Sequence, residues 1–213
     1  MDVEEFYKHY SLESLPSYVR EIIKFVDERI MEEIKVEGFI LDAGCGFGTF
    51  YEITKNYETI YLDICLEQLK KFPIDKNKVC ADIENLPFKD ESFDTILCIN
   101  VLEHTNHEKA LKELFRVLKR GGRLVVIVVN KDSFFKEPIF FDFRVKHEPL
   151  SLKDFKEFKI INYYSLYFLP SFIKILPTSI LKRFLKFYKR LDKILSRKFK
   201  RGGQFLIVEM VKV

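Results

Sequence analysis

Five side chains and three glycines in the first half of the 213-residue chain are spaced so that a particular chemistry follows from their types. Asp42 stands just ahead of Gly44-Cys45-Gly46-Phe47-Gly48, Asp63 follows about 20 residues beyond the glycines, and Asp82, Asn100 and His104 complete the series. Residues without a Cβ let the chain turn sharply and let a ligand approach the main chain closely. The alternate glycine spacing is neither the Gly-x-Gly-x-x-Gly dinucleotide fingerprint nor a P-loop, which needs a Lys-Ser/Thr pair after its glycines. No Lys or Arg occurs between Phe39 and Ile53. Such a bend repels a phosphate and attracts a cation, such as an ammonium or a sulfonium.

The elements around these residues read as strands that each end in one of them. The apolar run from Phe39 feeds the glycine bend, and a helix is expected from near Thr49. A strand over 59–64 delivers Asp63, where an acid in a strand-helix-strand unit accepts hydrogen bonds from ribose hydroxyls; the same residue would also serve as N-cap of a helix over 66–72. A strand over 78–83 delivers Asp82, placed to read an exocyclic amine of a base, with Ile64 and Ile83 as apolar faces for the ring. A strand over 93–100 exits through Asn100, and a helix over 106–118, a Lys119-Arg120-Gly121-Gly122 stop and a strand over 123–129 follow. Asp94 begins its strand, far from the carboxyl end, and reads as structural. Continuous apolar strands separated by helices predict a parallel sheet covered on both faces, with ligands beyond the carboxyl ends of the strands.

The order of these motifs resembles that of the class I S-adenosylmethionine-dependent methyltransferases, in the subgroup of small-molecule, quinone and tRNA-wobble enzymes. The resemblance is carried by Leu41-Asp42-Ala43-Gly44-Cys45-Gly46-Phe47-Gly48, by Asp63, and by Ala81-Asp82-Ile83-Glu84-Asn85-Leu86-Pro87-Phe88. Phe93-Asp94 with Val101-Leu102-Glu103-His104, and Leu118-Lys119-Arg120-Gly121-Gly122, complete it over about residues 36–130. It implies a Rossmann-like doubly wound α/β sheet of seven strands in the order 3-2-1-4-5-7-6, with strand 7 antiparallel. It also implies S-adenosyl-L-methionine as cofactor and S-adenosyl-L-homocysteine as product. Gly44, Gly46 and the Asp42 end of the strand would hold the methionine part, Asp63 both ribose hydroxyls, and Asp82 the adenine amine, with Gly48 kept from the bend itself as a third cradle glycine for the cofactor. The Ile83 amide would reach a ring nitrogen, and the Asn100 carbonyl would take the methionine ammonium. Arg120 stands where the family often has Pro, and Phe47 where many members have a small polar residue.

Methyl transfer from a sulfonium depends mainly on alignment and exclusion of water, and a base matters only for hydroxyl or protonated amine acceptors. His104 is the candidate for that base, an imidazole being the side chain that titrates near neutrality; the alternative is a structural role. A non-catalytic cofactor-binding module is a competing class, but nothing in the glycine bend is degraded.

The remaining sequence divides the single domain into a helical cap over 1–37, a cofactor-binding core over 38–130, a substrate lid over 131–158 and a basic insertion over 166–202. In the cap, Leu15, Val19, Ile22, Ile23, Val26, Ile30 and Ile34 recur at helical spacing from about Pro16, and Phe6, Tyr7 and Tyr10 could close over the cofactor. The lid is rich in Phe, including Ile139-Phe140-Phe141-Asp142-Phe143, and His147 and Ser151 precede a short helix. This suits an apolar or planar acceptor, a small or lipid-like molecule, with a tRNA base as the second reading. From 171 to 201 eleven Lys/Arg face one acid, a net +10 that leaves −6 for the rest of a chain whose formal total is +4. On the helix within it, Leu181, Phe184, Leu185, Tyr188, Leu191 and Leu195 are expected on one face. The basic segment over 178–201 is open to three readings: packing on the sheet edge, contact with anionic lipid, or contact with RNA phosphates. Cys45, Cys65, Cys80 and Cys98 form no CxxC pair and read as core thiols, with no metal site. No long uncharged apolar run and no signal peptide is apparent, so a cytoplasmic protein is expected.

Overall fold

The computed structural model describes residues 3–73, 77–135 and 147–213. Seven strands form one sheet: β1 (Ile40–Ala43), β2 (Thr59–Asp63), β3 (Lys78–Cys80), β4 (Phe93–Ile99), β5 (Leu118–Val129), β6 (Lys159–Leu166) and β7 (Phe205–Val211). Their order is β3-β2-β1-β4-β5-β7-β6, as the resemblance implies. The pairs from β3 to β5 are parallel, and β7 runs antiparallel to both β5 and β6.

Side chains alternate between the two faces, which is why the strands read as unbroken apolar runs. Leu41, Ile96, Cys98, Leu124 and Val126 share one core with α5 (His107–Val117), which presents Ala110, Leu111, Leu114 and Val117 at helical spacing. Ile40, Leu97, Ile99, Val125 and Ile127 share the other with α2 (Ser17–Glu33) and α6 (Thr178–Lys198). Each fully buried aliphatic side chain contributes about 1.5–3 kcal/mol. Three shorter helices complete the fold: α1 (Val3–Lys8), α3 (Tyr51–Thr54) and α4 (Leu66–Lys71).

Several expectations are corrected. The helix expected from near Thr49 begins at Tyr51 and is only a single turn long. The Gly121-Gly122 stop lies within β5, where a register shift against β4 absorbs it. Cys80 is exposed and so is not a core thiol, unlike Cys45, Cys65 and Cys98. On α6, Leu181, Leu185 and Tyr188 face the core together with Asp192 and Ser196, whereas Phe184 and Leu191 are exposed. The expected lid residues Ile139 to Phe143 lie outside the described residues.

The basic insertion is fixed to the body by a buried ion pair. Arg29 of α2 donates from Nε to Asp192 of α6 at 3.1 Å, and neither side chain is exposed to solvent. Asp192 Oδ1 also accepts from the amides of Tyr167 and Phe168, which closes the turn after β6. Arg29 reaches Glu32 and Glu33 on its own helix as well. Among the described residues, no helix is long and apolar enough to cross a membrane.

Candidate active site

The carboxyl ends of β1, β2 and β4 open into a cavity of about 1020 Å³. Gly44, Gly46, Asp63, Ile64, Asp82, Ile83, Asn100 and His104 all line it, so eight of the ten expected residues meet in one place. Asp42 and Gly48 do not lie on its wall. Gly48 instead shapes the turn: its φ is +87°, and a Cβ there would stand 2.3 Å from the Phe72 ring. Gly44 serves the same end against β4's exit, because a Cβ would come within 2.2 Å of Val101.

Each strand end leaves a distinct group for a ligand. Asp63 Oδ1 accepts from the Cys65 amide and Oδ2 from the Gly46 amide, both at 2.8 Å. These bonds fix the carboxylate across the glycine bend while each oxygen keeps acceptor capacity. Asp63 is therefore a brace for the bend and not the cap of α4, whose N-cap is Cys65. Space beyond Gly46 is open, since nothing lies within 4 Å of where its Cβ would be. Asp82 Oδ1 accepts from the Glu84 amide, which orients the second oxygen's carboxylate plane. Among the described residues, the Ile83 amide donates no hydrogen bond and the Asn100 carbonyl accepts none. Asn100 turns the chain at the end of β4 with φ +56° while its amide is held by the Ile127 carbonyl.

Charge is one-sided. Five acids, Asp27, Asp63, Asp82, Glu84 and Glu103, line the cavity, and among the described residues no Lys or Arg does. Behind the wall, Asp42 is buried with Oδ2 unpartnered, and burial together with Asp63 pushes its pKa up to about 7. Glu103 is likewise buried with an unpartnered Oε2 and is pushed up to about 7 by burial, although the Val129 amide donates to Oε1. Burial, then Glu28, raises Asp27 to about 7. Such a site favours a cation, and burial favours the protonated forms of Asp27, Asp42 and Glu103.

The opposite wall comes from α1 and the start of α2. Phe6, Tyr7, Tyr10, Leu12, Leu15 and Tyr18 line it, as the expected aromatic lid requires. The segment is latched by Gln68 Nε2 of α4, which donates to the Tyr7 and Tyr10 carbonyls. Tyr7 Oη lies 3.1 Å from His104 Nε2, and the His147 ring packs edge-on against His104 at 4.3 Å between centroids. His104 thus touches the cavity while being held from two sides. Sequence reasoning missed Asp27 and Glu103. The available signal for Asp27 was its position on the apolar stripe of α2, between Ile23 and Ile30.

A family model for a methyltransferase domain matches residues 41–126. An uncharacterized protein of Methanocaldococcus jannaschii is 51% identical, with 99% of each chain covered. A tRNA (carboxymethyluridine(34)-5-O)-methyltransferase of Arabidopsis thaliana is 36% identical over 46% of this chain and 26% of its own length. A SAM-dependent methyltransferase from Thermotoga maritima shares the fold with a TM-score of 0.68, 19% identity and 99% of each chain covered.

Proposed function

The chain belongs to the class I S-adenosylmethionine-dependent methyltransferases, and from that premise we propose that its acceptor is a small apolar or lipid-like molecule taken up at the aromatic end of the cavity. Bound there, S-adenosylmethionine would supply a methyl group activated by its sulfonium, with S-adenosylhomocysteine as the leaving product. The groups present fit this cofactor, because the free Ile83 amide, the unspent acceptor capacity of Asp63 and the unpartnered Asp42 carboxylate suit an adenosyl cation and no phosphate. In this reading Asp63 holds the ribose, Asp82 and Ile83 the adenine edge, Ile64 its face, and Gly44, Gly46 and the Asn100 carbonyl the methionine end. Gly48 supports the bend from outside the cavity.

One observation carries the acceptor assignment: the wall opposite the strand ends is aromatic and aliphatic, and among the described residues no Lys or Arg lines the cavity. A nucleotide flanked by phosphates gains nothing from five carboxylates. An apolar acceptor buries its surface against Phe6, Leu12, Leu15 and Tyr18 and expels water from the reacting centre. Asp27 and Glu103 are among the groups on the wall able to take a proton from an acceptor that must lose one. A tRNA base is the second reading, supported by the name of the Arabidopsis relative and by the basic surface of α6. Incubating the protein with methyl-labelled cofactor and separated lipid, RNA, protein and metabolite pools tests this. Label in the lipid or apolar metabolite pool is expected; label confined to RNA would transfer the assignment to the second reading.

A further inference from the structure

Helix α6 carries two apolar stripes, and only one of them meets the protein. Leu181, Leu185 and Tyr188 pack against α2 and the sheet. Ile180, Phe184, Phe187, Leu191 and Ile194 recur at steps of four and three residues, and all are exposed, Phe187 by 80%. That spacing lines them along one side of the helix, roughly 100° round from the buried stripe. Phe172 and Ile175, in the short segment before α6, are also 68% and 77% exposed. Ser17 and Thr178 are hydrogen-bonded at 2.8 Å, so this end of the line adjoins the start of α2, where Pro16, Tyr18 and Val19 border the cavity.

The cations of α6 divide in the same way. Lys182, Lys189 and Lys193, on the side toward α2, pair with Glu21, Glu28 and Glu32. Arg183, Lys186, Arg190 and Arg197 lie toward the exposed stripe's other flank, and among the described residues they make no ion pair. Long cationic side chains beside an exposed apolar stripe can reach headgroups while the stripe enters the acyl boundary.

We propose that α6 seats the protein on an anionic lipid surface, burying Ile180, Phe184, Phe187, Leu191 and Ile194 beneath headgroups bound by Arg183, Lys186, Arg190 and Arg197. The charge pattern selects this occupant. A second copy of the chain would bring a like-charged flank against the first, and RNA phosphates would use the arginines but leave the aliphatic line in water. The seat places the cavity's aromatic border toward the bilayer. It does not depend on which acceptor is methylated, because the stripe and its cations lie outside the cavity.

Co-sedimentation with vesicles, without cofactor or acceptor, tests the seat. The full chain should sediment with phosphatidylcholine vesicles containing phosphatidylglycerol and stay in solution with pure phosphatidylcholine. Phe187→Ser, Leu191→Ser and Ile194→Ser together should weaken binding by at least about tenfold. Arg183→Gln, Arg190→Gln and Arg197→Gln together should weaken it by about a hundredfold. Both variants should keep the parent's thermal unfolding and S-adenosylhomocysteine binding. Absence of vesicle binding by the parent, equal binding by the serine variant, or a dimer in sedimentation equilibrium that the serine variant abolishes would each overturn the proposal. So would binding of tRNA in place of vesicles.

Discussion

The parallel run from β3 to β5 and the antiparallel edge of β6, α6 and β7 are built on different ranges of interaction. In the first, each strand end carries its own polar group, and the braces are short: Asp63 reaches Gly46 and Cys65, and Asp82 reaches Glu84. In the second, the place of a 21-residue helix is fixed by Arg29 and Asp192, which are 163 positions apart. The first region lines an acidic cavity, and the second carries a basic helix. The contrast separates binding chemistry, which is local, from attachment, which is not.

The sharpest way to break that contrast is to remove the long-range tie. Asp192→Ala leaves Arg29 charged and buried and should cost about 3–5 kcal/mol in urea unfolding, while S-adenosylhomocysteine affinity of the folded protein stays within about threefold. A loss below about 1 kcal/mol would mean that α6 is held by its apolar stripe alone. Asp63→Ala should do the reverse: cofactor affinity falls by about 3 kcal/mol, or two orders of magnitude, with a smaller change in stability. Calorimetric titration measures the first quantity and thermal unfolding the second.

Acidity sharpens the same comparison. Asp27, Asp42 and Glu103 each have a folded pKa of about 7, raised above the unfolded range by burial. Their contribution to stability is therefore fully present below about pH 4 and is lost as pH rises through about 7. A bound cation favours the Asp42 carboxylate, so the rise in melting temperature given by S-adenosylmethionine should be larger near pH 8 than near pH 5. An equal or smaller rise at the higher pH would remove Asp42 from cation binding.

Smaller effects are expected at the lid. Gln68→Ala frees the Tyr7 carbonyl from α4 and leaves Tyr10 held by Lys71 alone; it should cost about 1 kcal/mol, with KM for the acceptor rising more than the cofactor's. His104→Ala should lower kcat by less than about tenfold and leave the pH–rate profile unchanged, since its Nε2 is engaged with Tyr7. A fall of two or more orders of magnitude with a lost limb of the profile would make His104 the base.

How much of this was legible follows from the same difference in range. The glycine bend and the meeting of Gly44, Asp63, Asp82 and Asn100 follow from residues close in sequence, each with its own motif, and the strand order from the family resemblance those motifs carry. Gly48 was read as part of the cradle because a turn glycine and a ligand-facing glycine look alike until Phe72 is placed above it. Asp192 read as a lone surface acid among eleven cations, and nothing near it in sequence points to Arg29. On α6 the apolar residues span more than half the circumference, so periodicity alone could not tell Leu181 and Leu185, which are buried, from Phe184 and Leu191, which are not. Asp27 is marked in the sequence only by its place on the apolar stripe of α2, and the role of Glu103 became visible only as a member of the cavity wall.

Calorimetric titration of the folded protein with S-adenosylhomocysteine, alongside NAD and ATP, tests most directly whether strand-end carboxylates and an uncharged glycine bend select an adenosyl ligand without phosphate. Saturable heat with S-adenosylhomocysteine, lost in Asp63→Ala, and no heat with either nucleotide is the expected result. Heat with NAD or ATP and none with S-adenosylhomocysteine would contradict it.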